Sequence, residues 1–125
     1  MTPEDRKRTA VELLQMAVDG TAHEVVSRFL TPDFKHHNPD VPAGIKALTR
    51  AMRDDAEKVP NKRLDVRHVL VDGELVAVHS HVVRQPGDPG LAIVHLYRFE
   101  GNKIAELWDI GREVPADAPN EDGMF

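Results

Sequence analysis

At 125 residues, with no cysteine and a formal net charge of −5, the chain has the size of one domain. It can support no disulfide framework, thiol catalysis or cysteine zinc site. No basic block points to a nucleic-acid partner and no apolar run is long enough to span a bilayer. The N-terminal "MTPEDRKRT" lacks the apolar stretch of a secretion signal, so a single cytoplasmic domain over residues 1–125 is expected.

The first predicted element is a helix. Thr2 can cap it, Pro3 suits its first turn, and Asp5 stands at capping-box spacing. Val11, Leu14 and Val18, with Ala10 and Ala17, form an apolar stripe of helical period, and Gly20 is a natural stop. Thr21 and Glu24 repeat the capping-box spacing, predicting a short second helix with Val25, Phe29 and Leu30 inward and Pro32 as its end. "DFKHHNP" then reads as a short extended piece or turn. Ile45, Leu48 and Met52 predict a third helix from about Ala43 to Lys58, closed by Pro60 and Asn61.

Beyond residue 61 the period changes from helical to alternating. "RLDVRHVLVDGELVAVHSHVVRQ" reads as two strands joined at Asp72-Gly73, and "LAIVHLYRF" and "KIAELWDI" as two more around Gly101-Asn102. The tail "REVPADAPNEDGMF" carries Pro115 and Pro119 and reads as irregular, although Met124 and Phe125 are apolar enough to pack. Three helices followed by four antiparallel strands imply an α+β fold. The helices would cover one face of a curved sheet, leaving a cone with an internal cavity suited to a small molecule.

Three polar stretches are candidates for that cavity: "FKHHNPDVPAG", "VHSH" and "VHLYRFEGNKIAELWDI". Asn38-Pro39 is a turn starter, and the same turn is expected to aim His37 and Asn38 inward. His79 and His81, two apart, share one face of a strand. They line the pocket or lie on the outer face of the sheet. Asp109, between Trp108 and Ile110, is a carboxylate in an apolar stretch. It is either in the pocket or a strand-end acid paired with Arg98 or Arg112.

The motifs "HHNPDVPAG", "VHSH", "YRFEGNKIAELWDI" and "NEDGMF", in this order of elements, resemble the SnoaL-like proteins of the nuclear transport factor two-like superfamily. Among these the chain is most similar to a small bacterial group described as predicted aldol-condensation-catalysing enzymes. In the SnoaL-like polyketide cyclases an aspartate on the last strand is the general acid/base and a histidine on the preceding strand helps to bind substrate. The resemblance places these roles on Asp109 of "LWDI" and His95 of "VHLYRF". Near relatives often read "DIFRF" where this chain reads "HLYRF", so His95 replaces an acid and makes the position more cyclase-like.

The expected activity is therefore cofactor-free acid/base chemistry on a small, largely apolar carbonyl compound, by an aldol-type cyclase, isomerase or lyase. Asp109 and His95 are the expected catalytic pair. His37, Asn38, His79, His81, Tyr97 and Trp108 are the expected substrate-binding residues. Two other classes stay open: a ligand-binding domain without turnover, and a metal-dependent enzyme using His37, His79, His81 and His95. Two structural expectations follow. Helices can cover only one sheet face, so the other should form a homodimer. His95 and Asp109 are an even fourteen apart, whereas a regular hairpin around Gly101-Asn102 separates residues of one face by odd numbers. Pairing them requires one extra residue, a β-bulge, in the last hairpin.

Overall fold

Thr2 starts the chain's first helix in the way its sequence predicts: its hydroxyl accepts from the Asp5 N–H while the Asp5 carboxylate accepts from the Thr2 N–H. The computed structural model describes residues 1–125. Helix α1 spans Pro3–Asp19 and ends at Gly20, whose φ of +84° is the left-handed conformation that favours glycine. Helix α2, Ala22–Val25, is one turn extended by a 3₁₀ turn, Val26–Arg28. Thr21 makes no side-chain cap there; of the predicted inward residues Leu30 is buried and Phe29 packs partly buried against the core, while Ala22 and Val26 take the buried place expected of Val25.

Strand β1, Leu30–His36, begins before Pro32. The proline does not end a helix; it lies in an edge strand with an irregular register between Leu30 and Lys35, where the missing N–H is tolerated. Helix α3 runs Ile45–Lys58. Strands β2 (Arg63–Asp72), β3 (Leu75–Val83), β4 (Leu91–Glu100) and β5 (Lys103–Glu113) form an antiparallel meander, and β1 adds to β5 in parallel, giving the order β1-β5-β4-β3-β2. Asp72 pairs with Leu75, so the first hairpin turns on Gly73 and Glu74, one residue later than the sequence suggests.

Three helices and a curved, unclosed five-stranded sheet make the α+β cone. The core lies between them, with Leu13, Leu14, Val26, Leu30, Phe34 and Leu48 packed against Val76, Val78, Tyr97, Phe99, Ile104 and Leu107. The opposite sheet face has no helix over it. Cross-strand rows Leu70–Ala77–Leu96–Trp108 and His68–His79–Val94–Ile110 run along it. The tail returns to this face: the Phe125 ring centroid lies 4.5 Å from that of His81 and 5.7 Å from that of His79, and the Arg67 guanidinium sits 5.0 Å from it. No helix is long and apolar enough to cross a membrane.

Candidate functional site

The β4–β5 register decides which side chains reach the interior. Phe99 pairs with Ile104 but Arg98 pairs with Glu106, so Ala105 is an extra residue on β5. Beyond this bulge His95 pairs with Asp109, and both face the helices; Trp108 pairs with Leu96 on the other face. The expected bulge is present and brings the two residues into phase.

They line a cavity of about 510 Å³, in the ordinary range for small-molecule sites of roughly 300–1,000 Å³. Its wall is mostly apolar, from Leu13, Leu14 and Ala17 of α1, Leu48, Ala51 and Met52 of α3, and Phe34, Leu91 and Leu107 of the sheet. The polar groups are few. Asn38, His95, Tyr97 and Asp109 belong to one wall, while Asp40, Asp55 and Arg84 complete the lining. Asp55 pairs with Lys62, and Arg84 pairs with Asp88 and Glu113.

Asp109 is three-quarters or more buried and makes no ion pair with either arginine. Arg98 is taken by Glu100 and Glu106, and Arg112 lies outside, opposite Ala92. The Asn38 side-chain amide donates to Asp109 Oδ2 at 3.0 Å. Oδ1 is buried without a hydrogen-bond partner, 3.7 Å from His95 Nε2, which is too long for a hydrogen bond. His95 Nδ1 is likewise buried and unpartnered. Burial pushes the His95 imidazole below its usual pKa, and the Asp109 charge pulls it part of the way back, so the ring is neutral near neutral pH. Tyr97 is buried beside it, ring centroids 6.2 Å apart. Burial, then the Asp109 charge, pushes the Tyr97 hydroxyl up, so it stays protonated and can donate. Few protein groups satisfy this carboxylate, imidazole and phenol, a pattern typical of sites that act on a ligand.

Four expected binding residues are not in the cavity. His79 and His81 point to the outer face, where His79 pairs with His68 and His81 Nε2 meets the Pro89 carbonyl at 2.7 Å. Trp108 is also outside, because strand alternation puts it opposite its neighbour Asp109. His37 is half-exposed there, stacked on Trp108 with ring centroids 5.2 Å apart and donating to Glu106 at 2.6 Å. That bond is the main reason the Glu106 carboxyl lies below the usual carboxylate range. The four histidines weighed as metal ligands therefore fall on two faces, and no three His, Asp or Glu side chains converge in a metal-binding arrangement.

Of the adjacent pair His36 and His37, the histidine that turns inward is His36, which sequence reasoning passed over. It shares a strand face with Phe34, two residues earlier, and both are buried. Asn38 keeps its predicted inward position, but its carboxamide is engaged with the protein: the amide holds Asp109 and Oδ1 accepts from the Asp40 N–H at 2.9 Å.

A sequence model described as a SnoaL-like domain matches residues 10–107. Solved structures share the fold at low identity, and three of those with provisional names illustrate their range. They are AclR, a hydroxylase from Streptomyces galilaeus (TM-score 0.74, 19% identity, 89% of this chain and 91% of that one); a SnoaL-like polyketide cyclase from Jannaschia sp. CCS1 (0.72, 17%, 89% and 89%); and a ketosteroid isomerase from Kribbella flavida DSM 17836 (0.70, 20%, 96% and 87%). No functionally curated protein matches the chain. With three different provisional names on one architecture, the fold by itself does not assign a reaction.

Proposed function

The chain belongs to the SnoaL-like domain family, and we propose that it is a cofactor-free acid/base enzyme for a small, largely apolar carbonyl compound, acting as an aldol-type cyclase, isomerase or lyase. The observation that carries this reading is Asp109, a mostly buried carboxylate that lines the apolar cavity beside a neutral histidine, with its Oδ1 left without a hydrogen-bond partner. Asn38 occupies Oδ2 and so fixes which oxygen is available.

Oδ1 takes the proton from the carbon next to the substrate carbonyl. The C–H electron pair becomes the C=C bond of an enolate, and negative charge moves onto the carbonyl oxygen. Tyr97 and the N–H of neutral His95 are the donors available to that oxygen, and a water-poor wall strengthens both interactions. In an isomerisation the proton returns from Asp109 to a different carbon. In an aldol closure the enolate carbon bonds to a second carbonyl carbon, and the resulting alkoxide takes the proton from Asp109. Both routes restore the carboxylate, and neither needs an external oxidant or reductant.

The test is a screen of small enones and β-keto esters, followed by Asp109→Asn on any substrate found. The variant keeps the shape and removes the base. A fall in kcat of about two to four orders of magnitude is expected, the usual worth of a positioned acid/base, with the melting temperature little changed. An unchanged rate would remove Asp109 as the base, whereas no turnover of any compound in the screen would move the protein to the alternative of a ligand-binding domain without turnover, which the predominantly apolar cavity wall also suits.

A further inference from the structure

We propose that His36 is a positioning residue for Asp109, acting through Asn38 and only as the neutral Nε2–H tautomer. The inference rests on the reading of Asp109 as the base and extends it to a histidine that touches neither cavity nor substrate.

His36 is 8% exposed, at the end of β1, and both of its ring nitrogens are engaged. Nδ1 accepts the Asn38 backbone N–H at 3.2 Å. Nε2 lies 2.8 Å from the Pro42 carbonyl, which can only accept, so Nε2 carries the proton and Nδ1 is a bare lone pair. The ring thus clamps both ends of the turn 38–42. Within the turn every hydrogen-bonding group of Asn38 is used: its carbonyl accepts from the Val41 N–H at 3.3 Å, its Oδ1 accepts from the Asp40 N–H, and its Nδ2 donates to Asp109. The Oδ1 contact fixes which end of the carboxamide faces Asp109, so the amide cannot flip without losing two bonds. A proton on Nδ1 would set donor against donor at the Asn38 N–H and release the one backbone contact that ties this residue to β1.

Two substitutions separate the ring's functions. His36→Asn supplies an acceptor near Nδ1 and loses the donor to Pro42; His36→Gln keeps a donor near Nε2 and loses the acceptor. Solvent exchange of the Asn38 backbone and side-chain amide protons, followed by NMR, is expected to quicken about tenfold in His36→Gln, the worth of roughly one hydrogen bond, and to stay near wild type in His36→Asn. Equal loosening in both variants, or unchanged protection in His36→Gln, would overturn the proposal. Nitrogen-15 NMR of the wild-type ring gives a test that needs no variant: Nδ1 protonated at neutral pH would also overturn it. With a substrate in hand, kcat should fall about tenfold in His36→Gln with KM unchanged, and His36→Asn should restore it. If Asp109→Asn is inactive and His36→Gln has full kcat, the positioning role fails while the base assignment stands. If Asp109→Asn is fully active, the base assignment fails, and amide exchange still decides whether His36 holds Asn38.

Discussion

His95 and Asp109 face each other across β4 and β5 with Nε2 3.7 Å from Oδ1, and this pairing makes His95 sensitive to pH in a defined direction. Burial lowers the His95 pKa below 6.5 in the folded protein, while the unfolded chain titrates near 6.5. Above 6.5 both states are neutral there and His95 adds no pH dependence. Below it the unfolded chain takes up a proton that the folded protein does not, so stability falls as pH drops toward the lowered folded value, by at most about 1.4 kcal/mol per pH unit for one proton. Glu106, lowered from 4.5, contributes only at more acid pH, so the windows separate. Denaturant unfolding between pH 6.5 and 5 should show this slope in the wild type and a shallower one in His95→Asn. Equal slopes would mean that His95 is not the residue responsible.

Asp109→Asn should also shift His95 itself. The Asp109 charge is what partly restores the His95 pKa, so removing it leaves desolvation unopposed and the ring titrates lower still. The His95 ring-proton signal in NMR reads this directly. A His95 pKa that rises in the variant would mean that the two groups do not interact as described.

The fold and half of the site follow from local sequence rules. The change from helical to alternating period near residue 61 locates the sheet, and the fourteen-residue spacing of His95 and Asp109 demands the bulge found at Ala105. The inward and outward errors have a common cause, strand parity. Val76, Val78 and Val82 mark the core face of β3, which sends Ala77, His79 and His81 outside. Trp108 and Asp109 are neighbours in one strand and cannot both line a cavity. Phe34 likewise marks the inner face of β1 and selects His36 over His37. That alternation is present in the sequence, but Pro32 as a helix-end signal and Asn38-Pro39 as a turn signal compete with it. The tie between Asn38 and Asp109, 71 residues apart, was not legible, because the β1–β5 pairing is parallel and irregular and no local pattern fixes its register.

The bare sheet face is expected to hold a second copy of the chain in solution. Leu70 and Ile110 are each 64% exposed on it, beside half-buried Leu96, Val94 and Trp108. In a two-fold contact each anchor is counted twice. Leu70→Lys with Ile110→Lys should therefore weaken the dimer at least about a hundredfold, equivalent to roughly 3 kcal/mol, and leave the cavity intact. Sedimentation equilibrium at micromolar concentration is the measurement; a wild-type monomer there refutes the expectation.

Phe125 is expected to contribute to stability although it is 40% exposed. Its ring lies against His79 and His81 and under Arg67, and these contacts go in Phe125→Ala. A loss of about 1 kcal/mol in denaturant unfolding is expected, less than for a core phenylalanine because much of the ring stays in water. No loss would mean that the tail rests on the sheet without holding to it.

Tyr97 offers the sharpest separation of a catalytic site from a binding cavity. Its ring is 2% exposed and packs in the core, so the aromatic part is structural. Its hydroxyl lies at the cavity, and burial and the Asp109 charge raise its pKa with no hydrogen bond to offset them. The hydroxyl has no protein hydrogen bond to lose, so Tyr97→Phe should fold as well as the wild type and melt at about the same temperature. If the hydroxyl donates to an enolate oxygen, the same change should lower kcat by about a hundredfold, the loss typical of one oxyanion donor. KM should change less, because charge on that oxygen is greatest in the transition state. Because the phenol stays protonated, the rate should show no alkaline limb from Tyr97 below pH 10. Unchanged kcat with weaker ligand binding would make the hydroxyl a ground-state contact and leave His95 as the oxyanion donor.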